Sequence, residues 1–345
     1  MLTAKAFLLC TGAQPAIPPI PGLTEVPFVT YLQLFENDRL PQRLLILGTG
    51  PLGLEMGQAY QRLGAQVVLV GERLLPKDEP EAGAALGQVL AREGLEFARG
   101  RATQVARDGA TILVTVGDQL LRGDLLLLAL GRVPVVGGLD LERAGVVHSP
   151  QGIAVDTHLR TNVKHIFAAG DCTGGYQFTH FAGWQAFQAV RNALLPGSSP
   201  GFSAIMPWVT FTDPEVAHVG CSEAAARRQF GDAVVATYWS MERTDRAICE
   251  NDLDGFIKVV HKPDGTLLGA TIVAGRAGEA ITEFVLALHR GLKLSDLARP
   301  IHAYPTYSTP VQQLAAQVAV EHLRTSLPGQ VIRRLSGLSG SRRRA

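Results

Sequence analysis

One stretch constrains the fold more than any other: Arg43-Leu44-Leu45-Ile46-Leu47-Gly48-Thr49-Gly50-Pro51-Leu52-Gly53-Leu54-Glu55. An aliphatic run ends in Gly-x-Gly-x-x-Gly, and an amphipathic pattern follows over residues 52–63. Gly64 stops it, and a second aliphatic run begins at Gln66-Val67-Val68-Leu69-Val70. Strand, glycine turn, helix, strand is the context in which this motif marks a dinucleotide-binding unit. Gly48 suits the tight turn, Gly50 lets a pyrophosphate approach the backbone, and Gly53 lets the helix lie close to the strand. The free N–H groups at the helix start then face the phosphates. A glycine turn that binds nothing is the alternative, and the two flanking elements weigh against it.

The chain of 345 residues has room for two or three domains. Its 46% hydrophobic content and 37 glycines describe a globular, loop-rich α/β protein rather than a disordered one. A net charge of +1 gives the whole molecule no electrostatic case for nucleic acid. The one local imbalance is a tail with Arg333, Arg334, Arg342, Arg343 and Arg344 among Gly and Ser, read as a solvated terminus. No apolar run reaches the ~20 residues of a transmembrane helix. The first ten residues have too short an apolar part for a signal peptide, so a cytoplasmic location is expected. Cys10, Cys172, Cys221 and Cys249 have no CxxC, CxxxxC or CC spacing. They read as buried small hydrophobes rather than a disulfide framework or zinc site.

Residues 1–41 give a strand at 5–9, then Thr11-Gly12 and an extended connector with Pro15, Pro18, Pro19 and Pro21. Residues 42–130 form the nucleotide-binding domain. After the opening unit come a helical pattern at 81–92, short strands at 95–97, 101–106 and 111–116, and an apolar run at 124–130. That run is expected to be a central parallel strand, buried on both faces. Residues 131–200 hold a second glycine-terminated strand, ending in Gly170-Asp171, and a helix at 181–194. An acid just past a strand's C-terminal end sits where open α/β sheets bind ligands. Residues 201–325 suggest strands at 209–211, 233–239, 256–261 and 266–273, the last two joined through Pro263-Asp264-Gly265. With helices at 278–290 and 311–323 they predict an antiparallel sheet backed by helices. Residues 326–345 are the basic tail.

Six motifs stand in order along this frame. They are Thr11-Gly12 after Cys10; Gly48-x-Gly50-x-x-Gly53-x-Glu55; Gly131-Arg132-Val133-Pro134; Ile166-Phe167-Ala168-Ala169-Gly170-Asp171; Phe211-Thr212-Asp213-Pro214-Glu215-Val216-Ala217-x-Val219-Gly220; and Ile301-His302-Ala303-Tyr304-Pro305-Thr306-Tyr307-Ser308. Through them the chain resembles the flavoprotein disulfide reductases, in their dihydrolipoamide dehydrogenase and mercuric reductase branch, from about residue 2 to 322. Cys10 replaces the alanine of the family's ATG box, and Val135 the asparagine of its GRxPN box.

The resemblance implies an α/β chain: a Rossmann-like NAD(P)-binding domain and a partial FAD-binding domain, followed by an α+β dimerisation domain. It implies FAD and NAD(P)H as cofactors, a homodimer through the C-terminal domain, and a small-molecule substrate. Gly48, Gly50, Gly53, Glu55, Arg73 and Gly131 would serve NAD(P). Thr11, Gly12, Gly170, Asp171, Thr179 and His180 would serve FAD. Asp171 would hold the ribityl chain, and Phe178-Thr179-His180 would lie by the isoalloxazine, where a positive helix end favours the anionic reduced flavin. Read alone, Asp171 is a cap or turn aspartate, His180 a satisfied histidine, and Glu55 a first-turn acid matching the helix dipole.

The departures are as informative. The family's leading strand–GxGxxG–helix, which binds the ADP half of FAD, and its Cys-x-x-x-x-Cys dithiol have no counterpart in the sequence. The chain therefore reads as starting in the last part of the flavin domain, with no dithiol to carry electrons onward. Tyr304 stands where most members carry a catalytic histidine, and Thr309 where they carry its glutamate; His302 occupies the motif's other position. Tyrosine titrates near ~10 and is a poor base at neutral pH. A tyrosine there is similar to mercuric reductases, where it lies near the metal-ion substrate, so Tyr304 is the candidate catalytic residue, with a packed interface aromatic as the alternative. The tail lacks the vicinal cysteines of those enzymes.

At the end of the second strand Gly71 stands where an acid would select NAD. Gly71 with Arg73 points to NADPH and Glu72 the other way; the balance tips to NADPH. The expected function is hydride transfer from NAD(P)H to flavin, then to a disulfide, thiol-linked or metal substrate. A non-catalytic dimeric NAD(P)H-binding module and a flavin reductase without a dithiol remain open alternatives.

Overall fold

The computed structural model describes residues 3–325, which divide into two compact units. The arginines of the tail lie outside the described residues. One unit contains the described residues up to Arg73 together with Glu93–Met206; the other contains Leu74–Arg92 and the described residues from Pro207 onward.

The first unit opens with β1 (Phe7–Leu9), β2 (Ala13–Pro15) and the one-turn helix α1 (Tyr31–Leu34). Thr30 caps α1: its hydroxyl accepts from the Leu32 N–H, and Gln33 accepts from the Thr30 N–H. Next come β3 (Arg43–Leu47), α2 (Pro51–Arg62) and β4 (Gln66–Gly71). The chain then runs through α3 (Pro80–Arg92), which belongs to the second unit, and returns for β5 (Glu96–Arg99), a meander of β6 (Ala102–Asp108), β7 (Thr111–Val116) and β8 (Gln119–Gly123), and β9 (Leu125–Leu128). The parallel sheet runs in the order β5-β4-β3-β9. Alternate residues of β3 explain its aliphatic run. Leu45 and Leu47 join Val105, Ile112, Val114 and Val116 of the meander in one core. Ile46 faces α2, where Gly57 admits it: a Cβ there would meet Leu69, Ile46 and Leu95 side-chain carbons at 3.3–3.5 Å. Both faces are covered, as continuous apolar strands require.

Sequence pattern assigned the run at 124–130 a central position. Its strand, β9, is instead outermost in the ladder. It is buried all the same, because Val29 bridges its open edge, donating its N–H to Leu126 and accepting from Leu128.

The rest of this unit comprises β10 (Arg132–Pro134), antiparallel to β2; a hairpin of β11 (His148–Ser149) and β12 (Gly152–Ile153); β13 (Ile166–Ala168), parallel to β1; and α4 (Thr179–Leu194).

The second unit is built on a five-stranded antiparallel sheet. Its strands are β14 (Trp208–Thr210), β15 (Glu215–Gly220), β16 (Val235–Ser240), β17 (Phe256–His261) and β18 (Leu267–Ala274), in the order β14-β15-β18-β17-β16. Around it lie α3 and the helices α5 (Glu223–Phe230), α6 (Asp245–Glu250), α7 (Ala277–Arg290), α8 (Leu294–Leu297) and α9 (Thr309–Thr325). Helix α7 packs on β15 and β18 through Ala277, Ala280, Ile281, Phe284 and Ala287, a buried stripe at helical spacing. Strand β15 and helices α5 and α6 were not anticipated from sequence. No helix among the described residues is long and apolar enough to cross a membrane.

Candidate cofactor-binding site

The glycine turn joins β3 to α2, and its three glycines differ in what surrounds them. Gly48 has φ 122°, and a Cβ there would lie 2.2 Å from the Ala129 carbonyl oxygen. A Cβ on Gly53 would lie 2.1 Å from the Gly48 oxygen. Gly50 is the N-cap of α2 with extended backbone, and a Cβ there would meet nothing within 4 Å. Between them the Thr49 hydroxyl, buried, donates to the Arg73 carbonyl at 2.7 Å. The exposed Arg73 is thereby tied to the turn through its backbone. Thr49 also fills the space beside Gly71, where a Cβ would fall 2.5 Å from its Oγ1.

Glu55 is not the first-turn acid expected from sequence. Pro51 takes the first helical position, so Glu55 lies beyond the first turn, half-buried. Gly131 follows β9 with φ 111° and open space beside it, and its carbonyl accepts from Ala16.

The flavin-type motifs converge within the same unit. Thr11 Oγ1 donates to the Val135 carbonyl at 2.6 Å, and Gly12 (φ 73°) opens on empty space. Gly170 (φ 78°) donates its N–H to the buried Gln185 Oε1 at 2.9 Å. Asp171, on the single helical turn Gly170–Thr173, is paired with Arg132 at 2.7 Å and is only 10% exposed at its side chain. Arg132 also reaches the Ala13 carbonyl at 3.3 Å and lies over the Tyr31 ring. Thr179 and His180 are exposed at the start of α4, and His180 Nε2 lies 3.3 Å from the Met206 sulfur. Sequence reasoning named the motif containing Arg132 but missed its pairing with Asp171; it also missed Thr49 and Gln185, whose roles depend on tertiary contacts.

The cysteines correct one expectation. Cys172 is buried, but Cys10 and Cys249 are exposed and Cys221 is intermediate. Cys10 ends the strand edge at β1, and Cys249 sits on the outer side of the short helix α6, so small apolar volume did not decide their burial. Cys172 donates to the Ala169 carbonyl at 3.2 Å. Although Cys10 as a whole residue is exposed, desolvation at its thiol and the nearby Cys172 push that thiol above its ordinary range.

In the second unit Tyr304 is 68% exposed and donates to Asp245 Oδ2 at 2.7 Å. That hydrogen bond and the Asp245 charge hold its phenol above the ordinary tyrosine range. His302 is paired with Glu283 at 2.8 Å, and Thr309 begins α9 with its hydroxyl donating to the Ala303 carbonyl at 3.1 Å. Elsewhere in this unit Lys258, 1% exposed, is held by Glu79 (3.1 Å), Glu81 (2.9 Å) and Glu223 (2.8 Å). Burial works against its charge, but the bonds to Glu223, Glu81, Tyr238 and Glu79 outweigh it and raise its pKa.

Residues 1–186 match the pyridine nucleotide-disulphide oxidoreductase family, and residues 206–315 match the dimerisation domain of that family. The chain belongs to the pyridine nucleotide-disulphide oxidoreductase family. This is a family of oxidoreductases that use FAD and NAD(P)H. Relatives include a mercuric reductase of Shigella flexneri, 39% identical over 87% of this chain and 54% of its own length. Another, from Streptomyces lividans, is 38% identical over 91% of this chain and 68% of its own length. The chain spans about half the length of the first of these. Among solved structures, LpdA from Mycobacterium tuberculosis superposes with a TM-score of 0.83 at 31% identity, over 91% of this chain and 70% of that one. The HOCl-induced flavoprotein disulfide reductase RclA from Escherichia coli gives 0.84 at 28%, over 90% and 73%.

Proposed function

We propose that this pyridine nucleotide-disulphide oxidoreductase takes hydride from NAD(P)H and passes it through FAD to a small disulfide, thiol-linked or metal substrate, as a cytoplasmic homodimer joined through its C-terminal domain. The observation that carries the reading is Gly50. Packing accounts for Gly48 and Gly53, each blocked by a carbonyl oxygen near 2 Å. Packing does not account for Gly50, whose missing side chain opens on empty space at a helix N-terminus on the C-terminal edge of a parallel sheet. A pyrophosphate seated there does. Kinship with mercuric reductases supports the substrate class.

When bound, NAD(P)H supplies the hydride and FAD relays it. This chain's own residues bind and orient. The first N–H groups of α2 receive phosphate, and Thr49 fixes the adjoining strand end through the Arg73 carbonyl. Asp171 fits the ribityl hydroxyls as an acceptor, and Thr179 and His180 present the positive end of α4 to developing negative charge. Tyr304 acts as a hydrogen-bond donor rather than a base near neutral pH, because Asp245 keeps its proton in place. These residues fit the ribityl and ring side of a flavin; among the described residues no second strand–glycine turn–helix accompanies them for its ADP half.

A second reading, a nucleotide-binding module without electron transfer, rests on the same glycine turn, which serves nucleotide binding with or without a flavin. The absorption spectrum of the purified chain decides between them. A yellow protein bleached by NADPH supports the oxidoreductase and sinks the module. A colourless protein that titrates with NADPH does the reverse.

A further inference from the structure

Three strand ends lie side by side on the C-terminal edge of the first unit's parallel sheet. Strand β3 ends in the Gly48–Gly50 turn, β4 in Gly71-Glu72-Arg73, and β5 in Arg99-Gly100-Arg101. Gly71 is the register partner of Arg99, and the Gly100 N–H donates to the Gly71 carbonyl at 2.9 Å. Neighbouring strands are about 4.8 Å apart. An adenosine leaving a pyrophosphate at the β3 turn therefore passes over the end of β4 toward the end of β5.

An acid at position 71 would take the ribose 2′-hydroxyl. The turn forbids one: a Cβ at Gly71 falls 2.5 Å from Thr49 Oγ1 and 2.6 Å from its Cγ2, and Thr49 is itself fixed by its bond to Arg73. Around Gly71 stand three arginines and one carboxylate instead. The carbonyl of Glu72 accepts from Arg99 Nε at 3.1 Å, and its carboxylate accepts from Arg101 Nε at 2.9 Å. Both side chains of the Glu72–Arg101 pair are largely exposed, at 67% and 81%. An exposed ion pair of this kind is weak. A phosphate dianion matches the guanidinium fork at least as well and carries more charge.

We propose that Arg99 and Arg101 form a subsite for the 2′-phosphate of NADPH, and that Glu72 is the anion Arg101 holds when no nucleotide is present. The inference rests on the nucleotide-binding reading of the glycine turn. It assigns selectivity to the end of β5, one strand beyond the position where sequence reasoning looked. Displacement of Glu72 swaps one anionic partner of Arg101 for another, and no covalent bond changes.

The test is calorimetric titration of the full chain with NADPH, NADH, 2′,5′-ADP and 5′-AMP. A charge-assisted contact corresponds to roughly 10- to 100-fold in affinity. NADPH is expected to bind at least ~10-fold tighter than NADH, and 2′,5′-ADP to exceed 5′-AMP similarly. The double variant Arg99→Gln/Arg101→Gln loses that preference and keeps its NADH affinity. Glu72→Gln tightens NADPH and leaves NADH unchanged. All three side chains are exposed, so the variants keep the fold. Equal affinity of the wild type for NADH and NADPH would overturn the subsite while leaving the glycine turn standing. Weaker NADH binding in Glu72→Gln would put that carboxylate on the ribose hydroxyl and also overturn it. Binding of none of the four ligands would refute the turn itself, and the subsite with it.

Discussion

Arg132 and Asp171 form an ion pair at 2.7 Å, joining the first residue of β10 to the helical turn after β13. Asp171 is nearly buried, so leaving its carboxylate without that partner is costly. Arg132→Met is expected to cost about 1–3 kcal/mol in urea unfolding, because it strands a desolvated carboxylate. Adding Asp171→Asn should recover part of the loss. Equal stability of Arg132→Met and wild type would show that the pair is energetically idle.

The motif glycines separate binding from folding. Gly50→Val places its side chain in open space, so its folding cost is confined to about 1 kcal/mol of helix-cap preference, while nucleotide affinity collapses. Gly48→Ala and Gly53→Ala drive a Cβ into a carbonyl oxygen and should lower stability by about 1–3 kcal/mol or more. Thermal melts alongside nucleotide titrations check both halves. Unchanged nucleotide affinity in Gly50→Val would refute the site.

Lys258 makes an acid-response prediction with a definite sign. Burial pushes Glu81 up, but its bond to Lys258 outweighs this and lowers its pKa; for Glu223 the Lys258 bond is the leading cause of a lowered value. These carboxylates therefore contribute stability above the unfolded value of ~4.3 and lose it as pH falls through their lower folded values. Lys258 is raised, so its contribution is full below ~10.4 and is lost as pH rises through its folded value. Between about pH 5 and 9 the wild-type cluster should be indifferent to pH. Lys258→Met should cost about 3–5 kcal/mol at pH 7. Its unbalanced carboxylates then favour protonation in the folded state, so the variant should gain stability from pH 7 to pH 5. Denaturant midpoints at the two values measure this, and a variant that loses stability on acidification contradicts it.

Tyr304 should ionise only above the ordinary tyrosine range, since its hydrogen bond to Asp245 and that residue's charge favour the neutral phenol. Asp245→Asn is expected to move its titration down toward ~10. The alkaline difference spectrum between Asp245→Asn and Asp245→Asn/Tyr304→Phe isolates that one phenol. An unshifted titration would mean that the contact is absent in solution.

What the sequence revealed was local. The β3–α2–β4 unit was legible because an aliphatic run, a glycine turn and a helical period lie within thirty residues of one another, about the length of one such unit. Strand β15 was not legible: it follows Asp213-Pro214, a turn signal, and carries His218 among its buried positions. That histidine is buried because Thr271, on the neighbouring strand, bonds its ring at 2.8 Å. Lys258 reads as a surface residue until Glu79, Glu81 and Glu223 arrive from other elements. The Arg132–Asp171 pair joins two motifs that no spacing rule connects. Sequence alone puts Glu55 in the first turn, because the cap at Gly50 cannot be told from the first helical residue without backbone angles.

The path of the chain through its two units has a practical consequence. It leaves the first unit after Arg73 and re-enters it at Glu93, so no single cut yields two self-sufficient pieces. A fragment starting at Pro207 would retain Lys258 and Glu223 but leave Glu79, Glu81 and all of α3 behind. The nucleotide-binding sheet, expressed alone without 74–92, would have nothing to carry β4 across to β5. Separation of the two halves therefore calls for a redesigned crossover, not a protease site.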